Sequence, residues 1–133
     1  MYEQKGYPKD WIDKRLRGIA IRQDLTDEWK ERGIALQKEY AILTAEISKA
    51  TFGMTPSQYK KYKNIPTKSN LELIFTMLGE RVTTEISQKE KPNTFIGNKK
   101  VAKRGGNVAG KARENTEKEL NASVVSKNNF LHE

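Results

Sequence analysis

Apolar residues recur along this chain at intervals of three and four positions, the spacing of one face of an α-helix. The clearest such face comprises Leu36, Tyr40, Leu43, Ile47 and Ala50. Gly53 is expected to end this helix, because glycine readily adopts the left-handed conformation that follows many helix C-termini. Thr55 and Pro56 then begin a short helix through Lys63, with proline at the first helical position.

Two helices are predicted before position 34. The first begins near Pro8, and Ile12, Leu16 and Ile19 lie on one stripe with Gln23. Asp24 or Thr26 could cap a separate short helix, since both side chains accept hydrogen bonds from the first free backbone N–H groups. That second helix would pass through Trp29 and end at Gly33.

The most apolar helix is predicted over residues 71–86, after a loop at 64–70 that contains a proline and several capping residues. Its apolar positions are Leu71, Leu73, Ile74, Phe75, Met77, Leu78, Val82 and Ile86. A helix with so wide an apolar face belongs in the centre of the core. We expect Phe75 and Leu78 to be among the most buried side chains.

A last, long helix is predicted from about 96 to 120, after the break at Lys91-Pro92-Asn93. One side of it carries Val101, Gly105, Val108, Ala112 and Leu120. The tail at 123–130 could be extended, but no hairpin signal gives it a partner. The chain is therefore predicted to be all-α, a single domain over residues 1–133 with five or six helices and a long basic C-terminal helix.

Positive charge is concentrated in this last helix. The chain carries 25 Lys and Arg against 17 Asp and Glu, a net +8. Residues 89–113 alone hold eight of the cations and one glutamate, a net +7, whereas residues 114–133 are net −2. Localised positive charge is typical of surfaces that bind nucleic acid, although a solvated basic face with no partner remains the alternative.

Gly105, Gly110 and Lys111 match the start of a phosphate-binding loop. However, Ala112 stands where that motif needs a Ser or Thr hydroxyl for magnesium, and no buried strand precedes it. We therefore interpret the pair of glycines at 105 and 106 as a place where another backbone packs closely against the helix. A bend or a close approach to phosphate is the alternative reading.

A second basic cluster comprises Tyr59, Lys60, Lys61, Tyr62 and Lys63. Aromatic rings interleaved with lysines suit single-stranded nucleic acid, whose bases stack while its phosphates pair with ammonium groups. Tyr59 and Tyr62 also have the three-residue spacing of a buried helix face, and this core interpretation is favoured.

The composition excludes several kinds of site. There is no cysteine and a single histidine, His132, so disulfides and thiolate metal sites are excluded and no acid–base pair of histidines can form. No serine or threonine has a histidine partner in a credible position, and the carboxylates look like caps and solvated faces. No apolar run approaches the roughly 20 residues of a membrane span. We expect a cytoplasmic protein that is not an enzyme, with no cofactor and no membrane partner.

Several ordered blocks resemble the C-terminal region of the DNA-damage-inducible protein D family. They include Tyr-Pro-Lys-Asp-Trp-Ile at 7–12, Phe-Gly-Met-Thr-Pro-Ser-Gln-Tyr-Lys at 52–60, and Asn-Lys-Lys-Val-Ala-Lys-Arg-Gly-Gly at 98–106. Further blocks lie at 24–33, 40–44, 71–75 and 83–86. Members usually carry an N-terminal Bro-type domain, shared with phage antirepressors. The resemblance here begins after the point where that domain would end, so we expect either a fragment or a stand-alone version. The family usually has a longer polar connection where this chain has residues 64–70.

The resemblance implies a bacterial or prophage protein of the DNA-damage (SOS) response. The expected function is binding of DNA, or of a recombinase–DNA complex, through phosphate contacts. The candidate residues are Lys99, Lys100, Lys103, Arg104, Lys111 and Arg113, with Lys60 and Lys61 from the second cluster. The alternative is a protein-interaction or antirepressor module that binds a repressor or recombination protein, or that self-associates through the glycine–alanine side of the last helix. In that case the basic charge is incidental.

Overall fold

Five α-helices account for nearly all of the structure. The computed structural model describes residues 6–63 and 68–125, and these contain no β-strand. The helices are α1 (Lys9–Glu31), α2 (Gln37–Phe52), α3 (Pro56–Lys63), α4 (Asn70–Glu90) and α5 (Phe95–Leu120). The predicted all-α class and helix number are confirmed, while most of the predicted loop at 64–70 and of the tail at 123–130 lies outside the described residues.

Local chemistry explains where most of these helices begin and end. Gly53 follows α2 with φ +75°, in the left-handed region, as predicted. The Ser69 hydroxyl accepts a hydrogen bond from the Glu72 backbone N–H, while the Glu72 carboxylate accepts one from the Ser69 N–H at 3.1 Å. At α5, the Thr94 hydroxyl accepts from the Gly97 N–H at 2.9 Å. These side chains satisfy N–H groups that have no partner within the helix.

The predicted break in α1 is wrong. The helix runs without interruption from Lys9 to Glu31, and the Thr26 hydroxyl donates to the Arg22 carbonyl inside it at 2.9 Å instead of capping a new helix. The buried face also differs from the predicted stripe, because Leu16 and Ile19 are 54% and 46% exposed. Trp11 and Ile12 near the start and Leu25, Glu28 and Trp29 near the end are the buried residues.

Helix α4 lies in the centre, between α1 and α5, as its apolar sequence predicted, and α5 also packs along α2. Its buried residues are nevertheless mostly small or polar, namely Glu72, Gly79, Glu80, Thr83, Thr84 and Ser87. Leu73 and Phe75, near its start, are the large apolar residues buried with them. Phe75 is buried as expected, but Leu78 is only half-buried and Ile74 is 40% exposed. Small side chains on the central helix let its neighbours approach closely, and the larger apolar residues lie beside the contact.

The glycines of α5 form the contact with α2 and α4. A Cβ atom added to Gly105 would lie 2.7 Å from the Thr83 backbone nitrogen, and one added to Gly106 would lie 2.7 Å from the Ile47 carbonyl oxygen. Gly110 is in similar contact with the Ala50 carbonyl. The packing interpretation of the glycine pair is confirmed. These residues are helical, so the stretch from 105 to 111 is not a phosphate-binding loop.

Two main apolar clusters complete the core. The first joins α1, α2 and α5 through Leu25, Trp29, Ile34, Leu43, Ile47 and Ala102. The second joins the end of α2, α3 and α4 to the segment after α5, through Phe52, Tyr59, Phe75, Val124 and Val125. The Val124 N–H donates to the Glu117 carboxylate at 3.0 Å, which holds this segment against α5. Both clusters fix α5 with its glycine side inward.

Candidate nucleic-acid interface

Helix α5 has a buried side made of glycine, alanine, valine and asparagine, and its lysines are exposed on the rest of the helix. The buried residues of α5 are Asn98, Val101, Ala102, Gly105, Gly106, Ala109 and Gly110. Lys99, Lys100, Lys103 and Lys111 lie elsewhere on the helix and are exposed. We call these four residues the α5 lysines. Packing of one side of the helix therefore leaves its lysines on the surface.

Three of the α5 lysines form no ion pair with any described residue. Within residues 6–63 and 68–125, no carboxylate lies within 4.0 Å of the ammonium groups of Lys100, Lys103 or Lys111. Lys99 has one distant partner, Glu46 of α2, at 3.8 Å. With a rise of about 1.5 Å per residue, Lys100 and Lys111 stand about 17 Å apart along the helix. This length matches several consecutive phosphates of a nucleic-acid strand.

Arg104 is exposed but already paired. Its guanidinium donates two hydrogen bonds to the Glu90 carboxylate, at 2.7 and 2.8 Å. The hydrogen bonds from Arg104 hold the pKa of Glu90 below its ordinary value, and those to Glu90 raise the pKa of Arg104. The carboxylate cancels much of the positive charge at this point. Arg104 is therefore a weaker candidate for phosphate contact than its lysine neighbours.

Arg113 supports the fold instead of facing solvent. Its side chain is 16% exposed, and its Nε donates to the Thr51 carbonyl at 2.7 Å. A second guanidinium nitrogen donates to the Glu117 carboxylate, also at 2.7 Å. The expectation that Arg113 belongs to the basic surface is wrong, because these contacts tie it to the end of α2.

The second basic cluster lies on α3, where some of its residues are buried and others are exposed. Lys60, Lys61 and Tyr62 are exposed, and Tyr59 is buried. The expected burial of Tyr59 is thus confirmed, whereas Tyr62 is 43% exposed. Lys63 is fully buried, and its ammonium donates to both carboxylate oxygens of Glu72, at 2.7 and 2.8 Å. Lys60 and Lys61 are therefore the two exposed lysines of this cluster, and they lie on a helix that packs mainly on α2.

Asn107 is a further surface residue that sequence reasoning missed. It is exposed and stands four positions after Lys103 and four before Lys111, so it lies between them on one helical side. An amide side chain both donates and accepts hydrogen bonds, which suits phosphate or sugar contacts. Its four-residue spacing from Lys103 and from Lys111 is the sequence feature that could have identified it. Glu114, one turn beyond, marks where the basic surface ends.

Comparisons of the chain with protein-family models, curated proteins and solved structures found no match. None of the helices in the described part of the chain is both long enough and apolar enough to cross a membrane. Among the same residues, no cluster of three or more His, Asp or Glu side chains could hold a metal ion. The site is therefore interpreted from its own chemistry.

Proposed function

We propose that this chain is a non-enzymatic DNA-binding module of the DNA-damage response, which contacts phosphates through the α5 lysines. The observation that carries the proposal is that Lys100, Lys103 and Lys111 are exposed on one helix and, among the described residues, lack a carboxylate within 4.0 Å. Unpaired cations on a rigid helix bind polyanions favourably, because their association releases counterions from the nucleic acid.

The mode of contact follows from the side chains. Lysine is a flexible point charge that pairs with phosphate oxygens, whereas base recognition usually uses two hydrogen bonds in fixed geometry, from the two donors of arginine or the donor and acceptor of asparagine or glutamine. Asn107 is the amide that lies between Lys103 and Lys111, and Arg104 is held by Glu90. Binding should therefore depend weakly on base sequence. The resemblance to the DNA-damage-inducible protein D family supplies the biological setting, with DNA alone or DNA coated by a recombinase as the target.

Two matched double variants test the surface. Replacing Lys100 and Lys103 with alanine removes two unpaired charges from α5, and replacing Lys60 and Lys61 removes two exposed charges from α3. Fluorescence anisotropy with labelled single-stranded and duplex DNA should show a clear loss of affinity for the α5 variant and a smaller loss for the α3 variant. The loss should be similar on unrelated sequences.

Equal losses from the two variants would mean that net charge alone matters, and wild-type binding by both would refute the proposal. The second outcome would favour a protein-interaction module. Self-association through the glycine–alanine side of α5 is not the form such a module would take, since α2 and α4 cover that side.

A further inference from the structure

A cavity of about 220 Å³ lies away from the α5 lysines, where α1, α2, α3 and α4 meet. Phe52 and Tyr59 supply aromatic walls, and Thr44 and Ser48 of α2 supply hydroxyl groups. Its volume is below the roughly 300–1,000 Å³ of pockets that hold drug-sized ligands. It is nevertheless several times larger than the roughly 30 Å³ that one water occupies in the liquid. The cavity therefore has room for a small molecule.

The ammonium group of Lys68 stands in this cavity with few partners. It donates to the Thr76 hydroxyl at 2.9 Å and lies 5.4 Å from the ring centre of Tyr59 and 5.7 Å from that of Phe52. An ammonium group has three N–H donors, so two remain without a described partner. The Trp11 indole donates to the Lys68 backbone carbonyl at 2.6 Å, which fixes the position of this residue.

Among the described residues, Lys68 has no carboxylate of its own as an ion-pair partner. The nearest acidic wall residue, Glu80, accepts from the Arg22 Nε at 2.9 Å and is committed to that ion pair. No carboxylate in the described part of the chain lies within 4.0 Å of the Lys68 ammonium. The cavity walls hold three cations, Arg22, Lys60 and Lys68, against the single carboxylate of Glu80. The cavity is thus electropositive.

Two further observations agree with anion binding in this cavity. Burial lowers the pKa of Lys68 to about 8; the Glu80 carboxylate raises it, and the charges of Arg22, Arg15 and Lys63 lower it further. Among the described residues, the buried hydroxyl of Tyr59 has no hydrogen-bond partner. A buried polar group without a partner is costly. A bound oxygen ligand would supply partners for such groups.

We propose that this cavity binds a small oxyanion, a carboxylate or a phosphate, with the Lys68 ammonium as its principal counterion. Charge selects an anion over a cation, since cations outnumber the carboxylate in the walls. The N–H donors of Lys68 that have no described partner favour a ligand with oxygen acceptors. The cavity volume limits that ligand to a small molecule. This site is independent of DNA binding by α5.

Isothermal titration calorimetry of the full chain with sodium phosphate and with sodium benzoate, at constant ionic strength, tests the proposal. At least one anion should bind saturably, and the tighter one identifies the preferred oxyanion. Lys68→Met should weaken that binding at least tenfold. Lys61→Met should leave it unchanged, because Lys61 is exposed on α3 and does not line the cavity. Absence of saturable binding, unchanged binding by Lys68→Met, or equal losses in the two variants would overturn the proposal.

A proton-linkage measurement on the wild-type chain keeps the test independent of whether Lys68→Met folds. An anion favours the charged ammonium, so it should raise the pKa of Lys68. Saturation with whichever of the two anions binds more tightly should shift the titration of the Lys68 Cε resonance to higher pH. Near pH 8, binding of that anion should also take up about half a proton, seen as a heat that varies with the buffer. An unmoved Lys68 titration would overturn the proposal.

Discussion

Replacing Gly105 with alanine adds one methyl group where α5 contacts the backbone of α4. The new Cβ would lie 2.7 Å from the Thr83 nitrogen and 2.8 Å from its Cα, and would overlap the Thr83 hydroxyl oxygen. A hydroxyl group can rotate away, but a backbone nitrogen in the centre of a packed helix cannot. Ordinary contacts begin near 3.4 Å, so the two helices would have to separate locally by about 0.7 Å.

Two opposing effects set the size of the change. Alanine is intrinsically more favourable than glycine within a helix, by about 1 kcal/mol. Overpacking a tight contact costs typically about 1–3 kcal/mol, and more where the structure cannot relax. Because the clash here is with backbone, we expect the cost to reach or exceed the top of that range. The net prediction is a loss of about 2 kcal/mol or more in the free energy of unfolding.

Gly18→Ala is the matched control, since Gly18 also lies inside a helix. Its added Cβ would meet only the Met77 side chain, at 3.7 Å, which is ordinary contact. This variant should therefore be stabilised, by up to about 1 kcal/mol. Urea denaturation followed by far-ultraviolet circular dichroism measures both. A Gly105→Ala protein as stable as wild type would refute the close α4–α5 contact.

Three further predictions follow from buried charges. Lys63→Met removes the ammonium group that donates to the buried Glu72 carboxylate, so it should cost about 3 kcal/mol, and adding Glu72→Leu should recover most of that loss in urea titrations. Since burial lowers the pKa of Lys68 from 10.5 to about 8, the unfolded chain binds the extra proton between these pH values, and this residue's contribution to stability rises with pH there. Lys68→Met should therefore be more stable than wild type near neutral pH, by on the order of 1–3 kcal/mol, and this advantage should shrink by about pH 10. Arg113→Gln should lower stability by about 2 kcal/mol through its lost hydrogen bonds, yet leave the salt dependence of DNA binding unchanged.

Helix ends were predictable where one residue type decides them. Gly53 acts through its own backbone conformation, and it ends α2 as predicted. Ser69, one of the capping residues in the predicted loop, caps α4 through its own side chain. The extra break before Trp29 was wrong because Asp24 and Thr26 are capping residues that also occur inside helices. Nothing local distinguishes these roles, and packing of α1 along α4 decides the matter.

The buried faces were harder to predict, because hydrophobicity was the signal used. On α4, Thr83 and Thr84 are fully buried while Ile74 is 40% exposed. A threonine hydroxyl inside a helix can donate to a carbonyl four residues earlier, as both of these do, at 2.7 and 3.0 Å. Such residues satisfy their polar groups locally and can be buried like apolar ones. The glycines of α5, of which Gly105 contacts Thr83, were the better signal for where helices meet.

The basic surface was predictable in composition but not in detail. Charge localisation identified α5, yet the pairing of Arg104 with Glu90 spans 14 positions and that of Arg113 with Thr51 spans 62. Contacts across such separations depend on how the helices pack, which periodicity alone does not reveal. The position of Lys68 in a cavity between four helices likewise depends on how those helices pack, so periodicity did not reveal it.

The salt dependence of DNA affinity tests most directly whether the α5 lysines contact phosphates. If Lys100, Lys103 and Lys111 each neutralise one phosphate, a plot of log affinity against log salt should have a slope of about −2.7 for duplex DNA. Raising the salt concentration fourfold should then weaken binding about 40-fold. In the Lys100→Ala, Lys103→Ala variant the slope should fall to about −0.9. An unchanged slope in that variant, or no measurable DNA binding by the wild-type chain at low salt, would contradict the account.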